Sequence, residues 1–220
     1  MIAEYIFDND IDKPEWFDSH QGKGNGMNRG NGNGNGRRKG MMQGKGKNKE
    51  SFGFTKQDKS FSEIGMHYAL STKKELGRNL MGTIQKKGTI EALKFCNEKA
   101  YPLTDSMSTQ HNAIIKRVSD KPRNIENKAN ALEQAYINDF KKTVLKGEEV
   151  LPITVERGEE VQFYYPIVTN SMCLQCHGKV GEQINKESYK TIKALYPEDK
   201  AIGYDVNNVR GIWSITFKKN

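Results

Sequence analysis

Between Ser62 and Lys87 the apolar residues Ile64, Tyr68, Leu76, Leu80 and Ile84 return mostly at helical spacing, which predicts one long amphipathic helix. Gly88 interrupts the pattern. Thr89, with Glu91 two residues on, reads as the start of a second helix, IEALKFCNEKA, on which Ala92, Leu93, Cys96 and Ala100 share an apolar face. Tyr101-Pro102 is expected to end it. Alternation then takes over in AIIKRVS, a strand at 113–119. NKANALEQAYINDFKKTVLKG goes back to helical spacing, with Leu132, Ala135, Tyr136 and Phe140 on the expected buried side and Gly147 behind it. Residues 152–168 read as a hairpin of ITVER and EVQFYYPIV around Gly158. KESYKTIKALYP predicts a modest helix, and AIGYDV and VRGIWSITF predict two closing strands around an Asn207-Asn208 turn. Helices come first and antiparallel hairpins later. The expected class is therefore α+β, an antiparallel sheet with helices packed on one face, preceded by the long N-terminal helix.

A hydrophobic fraction of 35% and a mean hydropathy of -0.80 are too polar for a compact domain of the full 220 residues. The excess polarity sits in residues 21–49, which hold ten glycines, eight Lys or Arg and no acidic residue. Without that stretch 27 basic residues face 27 acidic ones, so the formal +8 belongs to it alone. Such a segment has little to bury and loses maximal backbone entropy on ordering. The expectation is a short acidic segment at 1–20, a disordered basic Gly/Asn-rich tether at 21–51 and a single domain at 52–220. The tether lacks interleaved aromatics for base stacking, so no specific nucleic acid is expected, only weak attraction to an acidic surface. No stretch could span a membrane, and the first 20 residues lack the basic start and apolar run of a secretion signal.

The chemistry concentrates in SMCLQCHGK. The chain has three cysteines, two of which, Cys173 and Cys176, stand two residues apart with His177 directly behind. A redox dithiol would sit after the first strand of a βαβ unit, and here the pair follows a hairpin late in the chain. Zinc could take Cys96, Cys173, Cys176 and His177, but adjacent residues rarely both reach one tetrahedral ion. The third reading is C-x-x-C-H, the attachment sequence of c-type haem. Two thiols add across the two porphyrin vinyl groups, and the following histidine becomes an axial ligand of iron. Gly178 would let the chain leave close to the ring. For the other axial position the candidates are Met66, Met81, Met107, His67, His111 and Cys96. Cys96 has the stronger physical case, against an ordinary role as a small core residue.

The stretches EALKFCNEKAYP, KRVSDKPRNIEN, FYYPIVTNSMCLQCHG and AIGYDVNNVRGIWSI, in this order from about Ile64 to Phe217, resemble a bacterial family of PAS-like single-haem c-type domains. The family pattern falls on Arg117, Ser119, Arg123, Asn124 and Asn127, with Ile125 in place of a proline and Tyr101 inserted between Ala100 and Pro102. The resemblance implies a PAS-like fold and histidine–cysteine ligation of one covalently attached haem c, with iron between His177 and Cys96. Arg117 and Arg123 are candidates to meet its propionates, or equally to brace their loop. Tyr164, Tyr165 and Trp213 are expected in the core.

A fully ligated iron excludes substrate, so the expectation is an electron-transfer or redox- or gas-sensing module, not an enzyme, working with a redox or signalling partner. A haem enzyme acting on a small oxidant or nitrogen oxide at open iron is the alternative, and a structural zinc module with a polyanion-binding tail the second. Haem attachment to thiols in bacteria takes place outside the cytoplasmic membrane. The expected location is periplasmic or otherwise extracytoplasmic, with an export segment removed ahead of Met1.

Overall fold

The computed structural model describes residues 59–219; the acidic segment, the tether and the expected start of order at Phe52 lie outside them. A helix α1 (Phe61–His111) is followed by β1 (Ala113–Val118), α2 (Ala131–Lys146), β2 (Ile153–Arg157) and β3 (Glu160–Val168). The short α3 (Leu174–His177), α4 (Lys186–Leu195) and β4 (Val209–Lys218) complete the chain. The strands form one antiparallel sheet in the order β1-β4-β3-β2, which makes the class α+β.

Local chemistry explains the helix boundaries. Ser60 caps α1 in a reciprocal box: its Oγ accepts from the Glu63 amide at 3.3 Å, and Glu63 Oε2 accepts from the Ser60 amide at 2.7 Å. Asn130 and Glu133 make the same box ahead of α2, and Gly147 ends that helix in the left-handed region at φ 68°. Gly88 breaks α1 as expected, with φ 82° and ψ 176°. Pro102 does not end it. The helix runs through the proline to Asn112, and the buried Thr104 and Met107 beyond it supply the packing that offsets the lost backbone bond. The Thr104 hydroxyl also donates to the Ala100 carbonyl at 2.7 Å.

Helices cover both faces of the sheet, not one. Gly65 on α1 lies so close to Phe163 that a β-carbon there would stand 2.3 Å from the ring, and Phe61 and Tyr68 meet Phe217 on the same face. Tyr164, next along β3, points the other way, into a core with Val118, Ile212, Ile137 and Phe140 of α2. Ile137 is fully buried there, whereas Leu132 is 37% exposed and Ala135 is exposed; the buried stripe of α2 runs through Glu133, Ile137 and Phe140. Tyr164 and Trp213 are buried core aromatics as expected. The expected strand at AIGYDV does not form: residues 201–206 are loop, and Asn207 turns at φ 62° into β4.

Candidate functional site

A cavity of about 260 Å3 opens between α1 on both sides of Gly88, from Leu80 to Tyr101, the far ends of β1 and β3, the start of β4, and the cysteine segment. Cys96, Cys173, Cys176, His177, Arg117 and Arg123 all line it. The other candidate axial ligands do not. Met66 and Met107 are packed in the core, and His67 and His111 sit against each other, ring centroids 5.5 Å apart, with Ser71 Oγ 2.8 Å from His111 Nε2.

The cysteine segment is shaped by Asn170. Its Oδ1 accepts from the amides of Met172 and Cys173 at 3.1 and 3.2 Å, and from the Cys173 thiol at 3.2 Å. One turn of 3-10 helix (Ser171–Cys173) runs directly into α3, placing Cys173 and Cys176 at i and i+3 on one side. Leu174 points away, into a small core with Ala201 and Tyr204. Gly178 is needed for space: a β-carbon would stand 2.6 Å from the Leu174 carbonyl and 2.7 Å from Gln183 Oε1. The close neighbours of Gly178 are thus the chain's own atoms, where the sequence suggests room for a porphyrin.

His177 is held by the loop that failed to become a strand. Its Nδ1 is 2.7 Å from the Ala201 carbonyl, while its own backbone carbonyl accepts from the Tyr204 amide at 3.0 Å. The Gly178 carbonyl accepts from Gly203 at 2.8 Å. Burial, reinforced by the Arg210 and Arg123 charges, holds the imidazole pKa well below its ordinary value of 6.5, so the ring is neutral. A carbonyl can only accept; Nδ1 therefore carries the proton and Nε2 keeps its lone pair. Tyr204 stands edge-on to this ring, 6.5 Å between centroids. Burial also pushes the Cys176 thiol up to about 11 and raises that of Cys96, against the pull of Arg117, Arg123 and Arg210 on the latter. All three cysteines are free thiols.

The three arginines differ. Arg123 is a brace: its Nε donates to Asp199 Oδ1 at 3.1 Å and its Nη2 to the carbonyls of Cys176 at 2.6 Å and Ala201 at 3.2 Å. Asp199, with a fully buried side chain, completes that ion pair, and Tyr196 lies beneath the guanidinium. Arg117 and Arg210 have no such partner. Among the described residues neither guanidinium has a hydrogen bond or an ion pair, and Arg117 Nε is sealed from solvent without an acceptor. Burial lowers the pKa of both.

Arg210, Asp199 and Ala201 were missed by the sequence argument. Arg210 owes its place to an irregularity. The β3–β4 pairing steps from Ile167–Gly211 to Val168–Val209, leaving Arg210 as an extra residue on β4. A bulge of this kind re-aims its side chain. Among the described residues no three His, Cys, Asp or Glu side chains gather closely enough to hold a metal ion between them. The donors fit a haem instead: a neutral imidazole with free Nε2, a paired set of thiols, and a third thiol from α1 on the same cavity.

A family model described as Tll0287-like matches residues 38–218. Among solved structures, the crystal structure of the cyanobacterial heme-protein Tll0287 aligns with a TM-score of 0.51 and 20% identity. The match covers 74% of this chain and 98% of that one, and it shows a shared fold. No curated protein matches the chain.

Proposed function

The chain belongs to the Tll0287-like family, and from that premise and the cavity we propose that it is a haem protein of PAS-like fold, with one haem c attached through Cys173 and Cys176 and iron between His177 and Cys96. One observation carries this reading: the Ala201 carbonyl fixes His177 as the Nδ1–H tautomer, with Nε2 free at a cavity that Cys96, Cys173 and Cys176 share. The solved structure of similar fold is that of a heme-protein, which supports the reading.

When bound, iron porphyrin would supply a one-electron ferric–ferrous couple. The chain's residues do the rest. The carbonyl bond raises the basicity of the imidazole and fixes its plane. A sulfur donor from Cys96 would favour the ferric state and lower the potential. With His177 and Cys96 as the residues that would hold the iron, no position would stay open to substrate, so the role proposed is electron transfer or redox sensing together with a partner protein, not catalysis. Among the described residues no helix is long and apolar enough to cross a membrane. The place proposed is outside the cytoplasmic membrane, where haem is joined to thiols.

The test is co-expression of the exported chain with a c-type maturation system. The expected product is coloured, keeps its haem in a denaturing gel, and gives a low-spin ferric spectrum. Cys96→Ala should keep the attached haem and bind carbon monoxide faster than the parent. A colourless, matured, folded product would overturn the reading.

A further inference from the structure

The cavity holds a charge imbalance that its own residues do not resolve. Arg117 reaches it from β1 and Arg210 from the β4 bulge, and among the described residues no carboxylate lines it. Arg123 is already matched by Asp199. Leaving two guanidiniums without counter-charge away from water is costly, and so is the sealed Arg117 Nε without an acceptor. An ionised Cys96 could answer one positive charge, and the second would still stand alone. Around the arginines the lining turns apolar, with Leu80, Ile84, Leu93 and Ile167. A ligand that answered both features would be an amphipathic dianion: an apolar body carrying two carboxylates.

Resting on the haem reading, we propose that Arg117 and Arg210, and not Arg123, are the paired seat for the two propionate carboxylates of the porphyrin. The guanidinium is suited to this, since its planar fork gives a carboxylate two parallel donors. The bulge matters because without its extra residue position 210 would fall on the face that Ile212 shares with α2.

The probes are haemin and its dimethyl ester, the same porphyrin with both carboxylates masked. Each is titrated into the full-length chain, made without maturation and with its thiols kept reduced, and followed by the Soret band. The parent should bind haemin at least about tenfold more tightly than the ester for each seated carboxylate. Arg117→Gln and Arg210→Gln should each remove about tenfold of that preference, and the double variant nearly all of it. Arg123→Gln should weaken both porphyrins alike. Arg117→Lys and Arg210→Lys, which retain charge, should restore much of the preference, and far-UV circular dichroism should match the parent. Equal binding of haemin and ester by the parent, or a preference that survives the double variant, overturns the seat and leaves the haem reading standing. Binding of neither porphyrin by the folded parent overturns both.

Discussion

The two faces of the sheet are built from neighbouring residues and follow opposite rules. On one, Val118, Tyr164 and Ile212 close against Ile137 and Phe140, and the fit is mainly apolar. On the other, one residue away, Arg117 and the bulged Arg210 face a cavity to which no described residue brings a carboxylate. The first face holds the fold together. The second turns two guanidiniums that no described side chain pairs toward a cavity, which lowers the stability of the chain by itself. Cost and purpose are separated by a single pleat.

The contrast can be broken most forcefully at Asp199. Asp199→Asn strips the buried counter-charge from Arg123 and makes it resemble its two unpaired neighbours. The expected loss is about 3–5 kcal/mol in urea unfolding, with weaker hold on the cysteine segment. A loss below about 1 kcal/mol would mean that the pairing matters little. Ile137→Ala tests the closed face: it should cost about 2–4 kcal/mol and leave the visible spectrum of the matured protein unchanged. A shifted spectrum would show the two faces to be coupled. Arg117→Met should do the reverse, stabilising the haem-free chain by about 1–2 kcal/mol because a solitary buried cation is gone. Destabilisation would argue that Arg117 has a structural duty.

The smallest effect is read against pH. His177 is neutral in the fold, with its pKa depressed well below 6.5, so the unfolded chain takes up one more proton as pH falls through 6.5. Its stabilising share is complete above that value and is lost on acidification, with a slope approaching about 1.4 kcal/mol per pH unit. Haem-free chain unfolded at pH 7, 6 and 5 should weaken more steeply than His177→Asn. Parallel trends would place the imidazole in water.

Much of this was legible in the sequence, since local signals and final structure agree where a residue answers mainly to its neighbours. Gly88, the hairpin at Gly158 and the short helical turn that carries Cys173 and Cys176 are of that kind. The misses lie where distant atoms decide. Pro102 carries a strong local stop, outweighed by the packing of Thr104 and Met107. AIGYDV alternates like a strand, yet the backbone of Ala201, Gly203 and Tyr204 is spent on His177 and Gly178, leaving no ladder to form. The role of Arg123 depended on Asp199, 76 residues away. Arg210 was invisible because a bulge belongs to a pair of strands, and neither strand alone declares it.

That bulge is a defect by the standards of sheet geometry. Removing Arg210 itself would give a tidier ladder and a worse protein, since Val209 and Gly211 would keep their partners Val168 and Ile167 and only the cation would be lost. The extra residue works as a phase shift. It lets one strand serve the oily interior along most of its length and present a cation at its end, and a mutational search that rewarded regularity alone would erase it first.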